Sequence, residues 1–191
     1  MVGEVPHCTR IFALDLRPRP MRIFLIGFMC SGKTTVGRAL APMLSLPFVD
    51  LDRAVEARVG PLLPYIQREG EEAFRVLEQE VLEEVIAGPP GVVATGGGTP
   101  TIGDNLRRML ATGMVLWLDV PMEVLMPRIE RAGGDRPLLF GLKGDALRQR
   151  VETLFEGRVA RYAEAHHVVP AEGDPQAVAL RIQELLRAQP R

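Results

Sequence analysis

A glycine-rich loop, Gly27-Phe-Met-Cys-Ser-Gly-Lys-Thr34, holds the residues whose types and spacing point most clearly to chemistry. It matches the pattern G-x-x-x-x-G-K-[ST], in which backbone N–H groups surround phosphate oxygens at the positive end of the following helix. A chance glycine-rich turn is the alternative, but the loop falls between a predicted strand and a predicted helix. We therefore expect Lys33 to reach the terminal phosphates of a nucleotide and Thr34 to offer its hydroxyl to Mg²⁺. The predicted phosphate-binding residues are Gly27, Cys30, Ser31, Gly32, Lys33, Thr34 and Thr35.

Two aspartates, Asp50 and Asp52, come at the end of a second predicted strand. Carboxylates at positions i and i+2 of a strand end point to the same side. Asp50 could then hold magnesium through water while Asp52 meets an acceptor hydroxyl. The alternative is that Asp52 only caps a helix that begins at Arg53. The residues alone leave both interpretations open.

Three consecutive glycines, Gly96, Gly97 and Gly98, follow the third predicted strand. Without side chains, they expose main-chain N–H groups to a polar ligand that lies on the backbone. A glycine-rich loop is weak evidence by itself, and its predicted position beside the phosphate loop is what makes it a candidate.

Arginine can bind carboxylate or phosphate through two parallel hydrogen bonds, and can stabilise negative charge on a phosphoryl group during transfer. Arg75 lies early in a predicted helix, Arg136 in a loop rich in glycine and proline, and Arg158 in the next helix. Most arginines are solvated surface charges, so charge alone does not select these three.

The elements that must position these residues alternate along the chain. Short, continuously apolar runs predict strands, and periodic apolar residues predict helices. The predicted strands are residues 22–26, 47–49, 92–94, 114–118 and, more weakly, 168–169. The predicted helices are residues 34–44, 53–59, 71–86, 104–110, 121–129, 145–165 and 175–187. Residues 133–144 are predicted to form a mobile loop.

This alternation predicts an α/β fold with a parallel sheet covered by helices on both faces. Ligands of such sheets bind beyond the carboxyl ends of the strands. Each candidate motif follows a predicted strand or lies in the predicted mobile loop, which supports one site at that edge.

Taken together, the motifs resemble those of the shikimate kinase family. Val49-Asp-Leu-Asp52 is similar to the D-x-D element of that family, and Gly70 to Glu78 is similar to its G-E-x-x-F-R-x-x-E segment. Ala94-Thr-Gly-Gly-Gly98 is similar to its A-T-G-G-G element, and Arg136-Pro-Leu-Leu139 to its lid motif. Arg158 stands where the family has an arginine a few residues before a tyrosine. The resemblance covers the chain from about residue 21 to the C-terminus.

The resemblance implies transfer of a phosphoryl group from ATP, with Mg²⁺, to the 3-hydroxyl of shikimate, a step toward chorismate and the aromatic amino acids. It also implies a P-loop, three-layer α/β/α fold with a five-stranded parallel sheet and a mobile lid at about residues 132–144. Catalytic roles would fall to Lys33, Asp52 and Arg136, and Asp52 could act as the base. The implied shikimate-binding residues are Asp52, Arg75, Gly96, Gly97, Gly98 and Arg158. Arg131 and Pro175 correspond to adenine contacts of the family, and Arg136 would close onto the nucleotide with the lid.

The sequence departs from the family pattern in three places. Cys30 replaces a glycine that many members have, which brings a thiol next to the phosphates. The stretch between Arg131 and Arg136 is short. Residues 1–20 have no counterpart that we can identify, and we treat them as an N-terminal extension before a kinase domain at residues 21–191.

Two other functions remain open. A kinase of the same fold could phosphorylate another small molecule such as gluconate, although paired arginines favour an acceptor that carries a carboxylate. A kinase-like protein could instead bind ligand without catalysis. Loss of Lys33, Asp52 or Arg136 would indicate that case, and all three are present.

Composition excludes several other classes of protein. The net charge of −1 argues against a nucleic-acid binder that relies on a broad basic surface. Cys8 and Cys30 are too few for a disulfide framework and too far apart in sequence for a zinc site. No apolar stretch approaches the ~20 residues that span a membrane, and residues 1–20 lack a signal core. We expect a monomeric cytoplasmic protein with no nucleic-acid or membrane partner.

Overall fold

The computed structural model describes residues 22–132 and 137–188. Five strands and seven helices alternate in this part of the chain, as the sequence predicts. The strands are β1 (Ile23–Ile26), β2 (Phe48–Asp50), β3 (Val92–Ala94), β4 (Met114–Asp119) and β5 (His167–Pro170). The helices are α1 (Lys33–Met43), α2 (Leu51–Val59), α3 (Leu62–Ala87), α4 (Asn105–Thr112), α5 (Met122–Ala132), α6 (Gly144–Tyr162) and α7 (Pro175–Ala188).

All five strands run parallel in one sheet, in the order β2-β3-β1-β4-β5. Leu25 of the central strand pairs with Ala94 of β3 and with Leu116 of β4. Every residue of β1 is buried, which explains its unbroken apolar run, because a parallel strand is covered on both faces. The α/β prediction is confirmed.

The helices pack on this sheet so that the carboxyl ends of the strands remain available. Helix α1 packs against β1, β2, β3 and α7, whereas α4 packs against β4 and α3. Loops that leave β1, β2 and β3 therefore meet at one edge. Among the described helices, none is both long enough and apolar enough to cross a membrane.

The helix after β2 begins earlier than the sequence indicates. Asp50 has an extended backbone and is the N-cap of α2, and its carboxylate accepts a hydrogen bond from the backbone N–H of Arg53 at 3.2 Å. Asp52 lies in the first turn of the helix. The suggestion that Asp52 caps a helix starting at Arg53 is therefore wrong, because Asp50 takes that role.

Helix α3 is also longer than the predicted residues 71–86. It consists of two helical segments that meet at Gly70, whose backbone is non-helical with φ 90° and ψ 163°. The first segment carries Leu62 and Ile66 towards the site described below. The sequence prediction left this first segment unassigned, and its Pro64 lies in the first turn, where a helix tolerates proline.

The predicted mobile loop at residues 133–144 is covered only in part. Pro137–Leu139 form a turn of 3₁₀ helix, in which Leu139 is buried. Residues 133–136, and with them the predicted role of Arg136, lie outside the described residues, as do residues 1–21.

Candidate active site

The loop after β1 folds around the side-chain ammonium group of Lys33. This Nζ donates hydrogen bonds to the carbonyl oxygens of Gly27 at 2.9 Å and Phe28 at 2.7 Å. The loop enters α1 through Gly32, whose φ of 92° suits glycine. No acidic residue of α1 itself lies in its first turn, so the helix does not neutralise the positive end of its own dipole. The loop thus combines a buried positive charge with a helix N-terminus, a combination that favours phosphate.

Thr34 and Asp50 form the predicted metal-binding pair. The Thr34 hydroxyl donates to the Asp50 carboxylate at 2.7 Å. Hydroxyl and carboxylate oxygens are the ligands that Mg²⁺ prefers, and this ion usually completes its shell with water and substrate phosphates. In the described part of the chain, no cluster of three or more His, Cys, Asp or Glu could hold a metal alone. The pair therefore fits a magnesium ion that arrives with the nucleotide.

A cavity of about 220 Å³ opens beside the loop and extends to α5 and α7. Its lining includes Pro175, one of the residues that correspond to adenine contacts. The arginine that lines it is Arg128, which also donates to the carbonyl oxygen of Cys30 at 3.3 Å. Arg131 lies almost one turn further along α5 and is exposed, and it is not part of the lining. The predicted loop residues in the lining are Cys30, Ser31, Gly32 and Thr35.

A second cavity, of about 190 Å³, lies beyond the carboxyl ends of β2 and β3. It brings together all six predicted acceptor residues, namely Asp52, Arg75, Gly96, Gly97, Gly98 and Arg158. Apolar side chains of Met29, Leu62, Ile66, Phe74 and Leu138 complete the wall with Glu71 and Glu78. Charged groups at defined points of an apolar wall are typical of a small-molecule site.

The glycine loop leaves no space for side chains at its first position. A Cβ on Gly96 would lie 2.6 Å from Glu78 Oε1 and 2.8 Å from Asp52 Oδ1. A Cβ on Gly97 would lie 3.2 Å from the backbone nitrogen of Met29. The acceptor loop therefore touches the phosphate loop, and the two cavities adjoin.

Arg75 is held by two carboxylates of its own helix. Its Nη1 lies 2.9 Å from Glu78 Oε2, and its Nη2 lies 2.9 Å from Glu71 Oε1. Glu78 is 1% exposed and also accepts a hydrogen bond from the Thr99 hydroxyl at 2.5 Å. Burial acts to lower the pKa of Arg75, but the charges and hydrogen bonds of Glu78 and Glu71 outweigh it and raise that pKa. Arg75 is therefore a permanent, oriented cation.

Arg158 differs from Arg75 in its partners. It is 8% exposed, and its guanidinium lies over the Phe28 ring, 5.6 Å from the ring centre. Within the described residues, no carboxylate forms a salt bridge with it. Because a buried charge is costly unless it is paired, this guanidinium favours an anionic ligand in the cavity.

Tyr162 connects α6 to the glycine loop. It is fully buried, and its hydroxyl donates to the carbonyl oxygen of Gly97 at 2.5 Å. Burial raises the pKa of Tyr162 to about 12, although the nearby Arg158 charge acts in the opposite direction. Arg158 and Tyr162 are one turn apart on α6, a spacing that places both on the same face. Tyr162 therefore supports the loop and Arg158 from behind.

Sequence reasoning did not assign Glu71, Glu78, Arg128 or Tyr162 to the site. The spacing of Glu71, Arg75 and Glu78 at i, i+4 and i+7 could have indicated Glu71 and Glu78, because these positions share one helix face. Nothing in the sequence distinguishes Arg128 from Arg131, since only the packing of α5 decides which of the two faces the cavity.

Comparisons with known proteins agree in one family. The family model for shikimate kinase matches residues 29–187. The chain is 38% identical to a shikimate kinase of Salinibacter ruber, over 94% of this chain and 91% of that protein. It is 47% identical to a shikimate kinase of Gloeobacter violaceus, over 86% and 90%.

Solved structures give the same result. A shikimate kinase from Acinetobacter baumannii in complex with shikimate superposes with a TM-score of 0.82 at 35% identity, covering 89% of this chain and 94% of that chain. A shikimate kinase from Bacteroides thetaiotaomicron superposes with a TM-score of 0.81 at 37% identity, covering 87% and 98%.

Proposed function

This chain belongs to the shikimate kinase family and is an ATP-dependent kinase of shikimate, and from that premise we propose that its two adjoining cavities hold the two substrates. ATP occupies the cavity at the phosphate loop, and shikimate occupies the cavity lined by Arg75 and Arg158. The observation that carries this proposal is the acceptor cavity itself, where two guanidinium groups and Asp52 surround a glycine loop that touches the phosphate loop. The shikimate held by the Acinetobacter baumannii relative supports the same assignment.

Arg75 and Arg158 bind the carboxylate of shikimate. The two guanidinium groups line one cavity, and Arg158 lacks a salt-bridge partner among the described residues. A bidentate or bridging contact with a carboxylate supplies the negative charge that no described residue provides to Arg158. Gly96, Gly97 and Gly98 provide the surface on which the ring lies, because a side chain there would displace Asp52, Glu78 or Arg75.

Asp52 receives the proton of the 3-hydroxyl. As that oxygen attacks the terminal phosphorus of ATP, a new oxygen–phosphorus bond forms and the bond to the oxygen of the departing ADP breaks. Lys33 lies beside the transferring group and stabilises its charge. Thr34 and Asp50 hold Mg²⁺, which supplies further charge neutralisation when bound. The predicted role of Arg136 in closing over the phosphates stays a prediction.

We also propose that the enzyme works in the cytoplasm as a monomer, without nucleic-acid or membrane partners. The net charge of −1 supports the absence of a broad basic surface.

A coupled assay of ADP release, with shikimate and gluconate tested side by side, is the direct experiment. We expect ADP release that depends on shikimate and not on gluconate. Turnover with gluconate would favour the related sugar-acid kinase, and turnover with neither acceptor would favour a binding protein without activity.

A further inference from the structure

Every terminal nitrogen of Arg75 already has a carboxylate partner in this structure. Glu78 lies on Nη1 and Glu71 on Nη2, both at 2.9 Å. The remaining Nε is enclosed and has no hydrogen-bond partner among the described residues. Because each terminal nitrogen carries a second N–H, a substrate carboxylate that binds Arg75 shares a guanidinium whose charge two glutamates already partly neutralise.

The two glutamates differ in how easily they can leave. Glu78 is 1% exposed and also accepts a hydrogen bond from Thr99, so releasing it would leave a buried charge and a buried hydroxyl without this contact. The Glu71 side chain is 52% exposed and reaches Arg75 from the rim of the cavity. It can turn into water at little cost.

We propose that Glu71 is a specificity-determining residue that competes with the acceptor carboxylate for Arg75. This inference rests on the proposed function. Glu71 keeps the guanidinium oriented and partly neutralised before the acceptor arrives, and its negative charge opposes that of the acceptor carboxylate at the same cation. The competition weakens the binding of every acid at this position, so that only a ligand which also contacts Arg158 and the glycine loop binds well. A neutral acceptor leaves the contact between Glu71 and Arg75 in place.

The test compares Glu71→Gln with Glu72→Gln by calorimetric titration with shikimate and with its neutral methyl ester. Glu72 is also exposed, and it has no charged partner among the described residues. The control therefore removes one charge next to Glu71 without touching Arg75. We expect Glu71→Gln to tighten the binding of shikimate about two- to fivefold, the range for an exposed ion pair. The ester should bind wild type and Glu71→Gln equally, and Glu72→Gln should match wild type for both ligands.

The outcomes separate this inference from the proposed function. If wild type does not bind shikimate, the proposed function fails and the inference fails with it. If wild type binds shikimate but the two variants behave alike, only the inference is overturned. Weaker binding by Glu71→Gln would show that Glu71 positions Arg75 and does not compete. Equal tightening of shikimate and the ester would show a general widening of the cavity, which also contradicts the competition.

Discussion

The two halves of the active site are built in different ways. The nucleotide half comes mainly from one stretch of backbone, in which main-chain carbonyls hold Lys33 and the N-terminus of α1 borders the cavity proposed for ATP. The acceptor half comes from side chains of α2, α3 and α6 around a glycine loop, and its charges are fixed by buried partners such as Glu78. Backbone geometry tolerates most side-chain changes, whereas a network of buried charges depends on each member. We therefore expect few critical side chains in the first half and many in the second.

The largest effect should come from Lys33, the side chain that brings positive charge to the nucleotide half. Lys33→Met removes the positive charge at the terminal phosphates, and we expect turnover to fall about a thousandfold, in the range for losing a charge that stabilises the transition state. Steady-state kinetics with ATP and shikimate measures it, and circular dichroism checks the fold. Turnover within a few-fold of wild type would remove Lys33 from the catalytic site.

A smaller but more selective effect should follow in the acceptor half. Arg158→Ala takes away a buried guanidinium that faces the cavity, and we expect shikimate affinity to fall by about 3 kcal/mol, within the range for truncating one partner of a buried charge pair. ATP affinity should change little, because Arg158 does not line the nucleotide cavity. Arg75→Ala should show the same selectivity. Equal losses for both ligands in calorimetric titrations would contradict the division into two halves.

The same division explains what could be predicted from sequence. The phosphate-loop motif is contiguous, so its pattern alone selected residues that line one cavity, and the unbroken apolar runs predicted the strands of the sheet. The acceptor residues come from segments that are far apart in the sequence. The family resemblance, more than their spacing, was the reason to assign Arg75 and Arg158 to one site. Glu78 is one of 24 acidic residues, and although the family segment includes it, only the structure shows that it is buried beside Arg75. Sequence could not show that Arg128, and not Arg131, lines the nucleotide cavity, because the rotation of α5 depends on tertiary packing.

The pH dependence of the free energy of unfolding tests whether Tyr162 supports the glycine loop of the acceptor half. The folded protein keeps the phenolic proton up to about pH 12, whereas an unfolded chain releases it near pH 10. Between these pH values the unfolded state binds fewer protons than the folded state. Tyr162 should therefore lower the free energy of unfolding by about 1.4 kcal/mol for each pH unit. Its contribution is fully present below pH 10 and lost as the pH passes 12.

Urea unfolding of wild type and Tyr162→Phe between pH 8 and pH 12 measures this contribution. Tyr65→Phe, which changes the other tyrosine, is the matched control and should follow the wild-type curve. Parallel curves for wild type and Tyr162→Phe would mean that the phenol is not protected from water and does not support the glycine loop.

The smallest effect concerns the departure from the family pattern at Cys30. Cys30 has a φ of 61°, a left-handed conformation that also occurs at Ser45 with a φ of 54°. The left-handed conformation costs a residue with a side chain about 1–2 kcal/mol, and glycine avoids this cost. Glycine also gives the unfolded chain more conformational freedom, which offsets part of the gain in stability. Ser45 is exposed, so Ser45→Gly should raise the free energy of unfolding by about 0.5 kcal/mol. Cys30 packs against the core, so Cys30→Gly should gain less than Ser45→Gly.

The two substitutions separate backbone strain from function, because only Cys30 lines the nucleotide cavity. If the loop binds phosphate through its backbone, Cys30→Gly should leave ATP affinity within about twofold of wild type, as should Ser45→Gly. Thermal unfolding and ATP titration of both variants measure strain and function independently. A large loss of ATP affinity in Cys30→Gly alone would show that the thiol side chain, and not only the backbone, shapes the phosphate site. The nucleotide half would then depend on more side chains than Lys33.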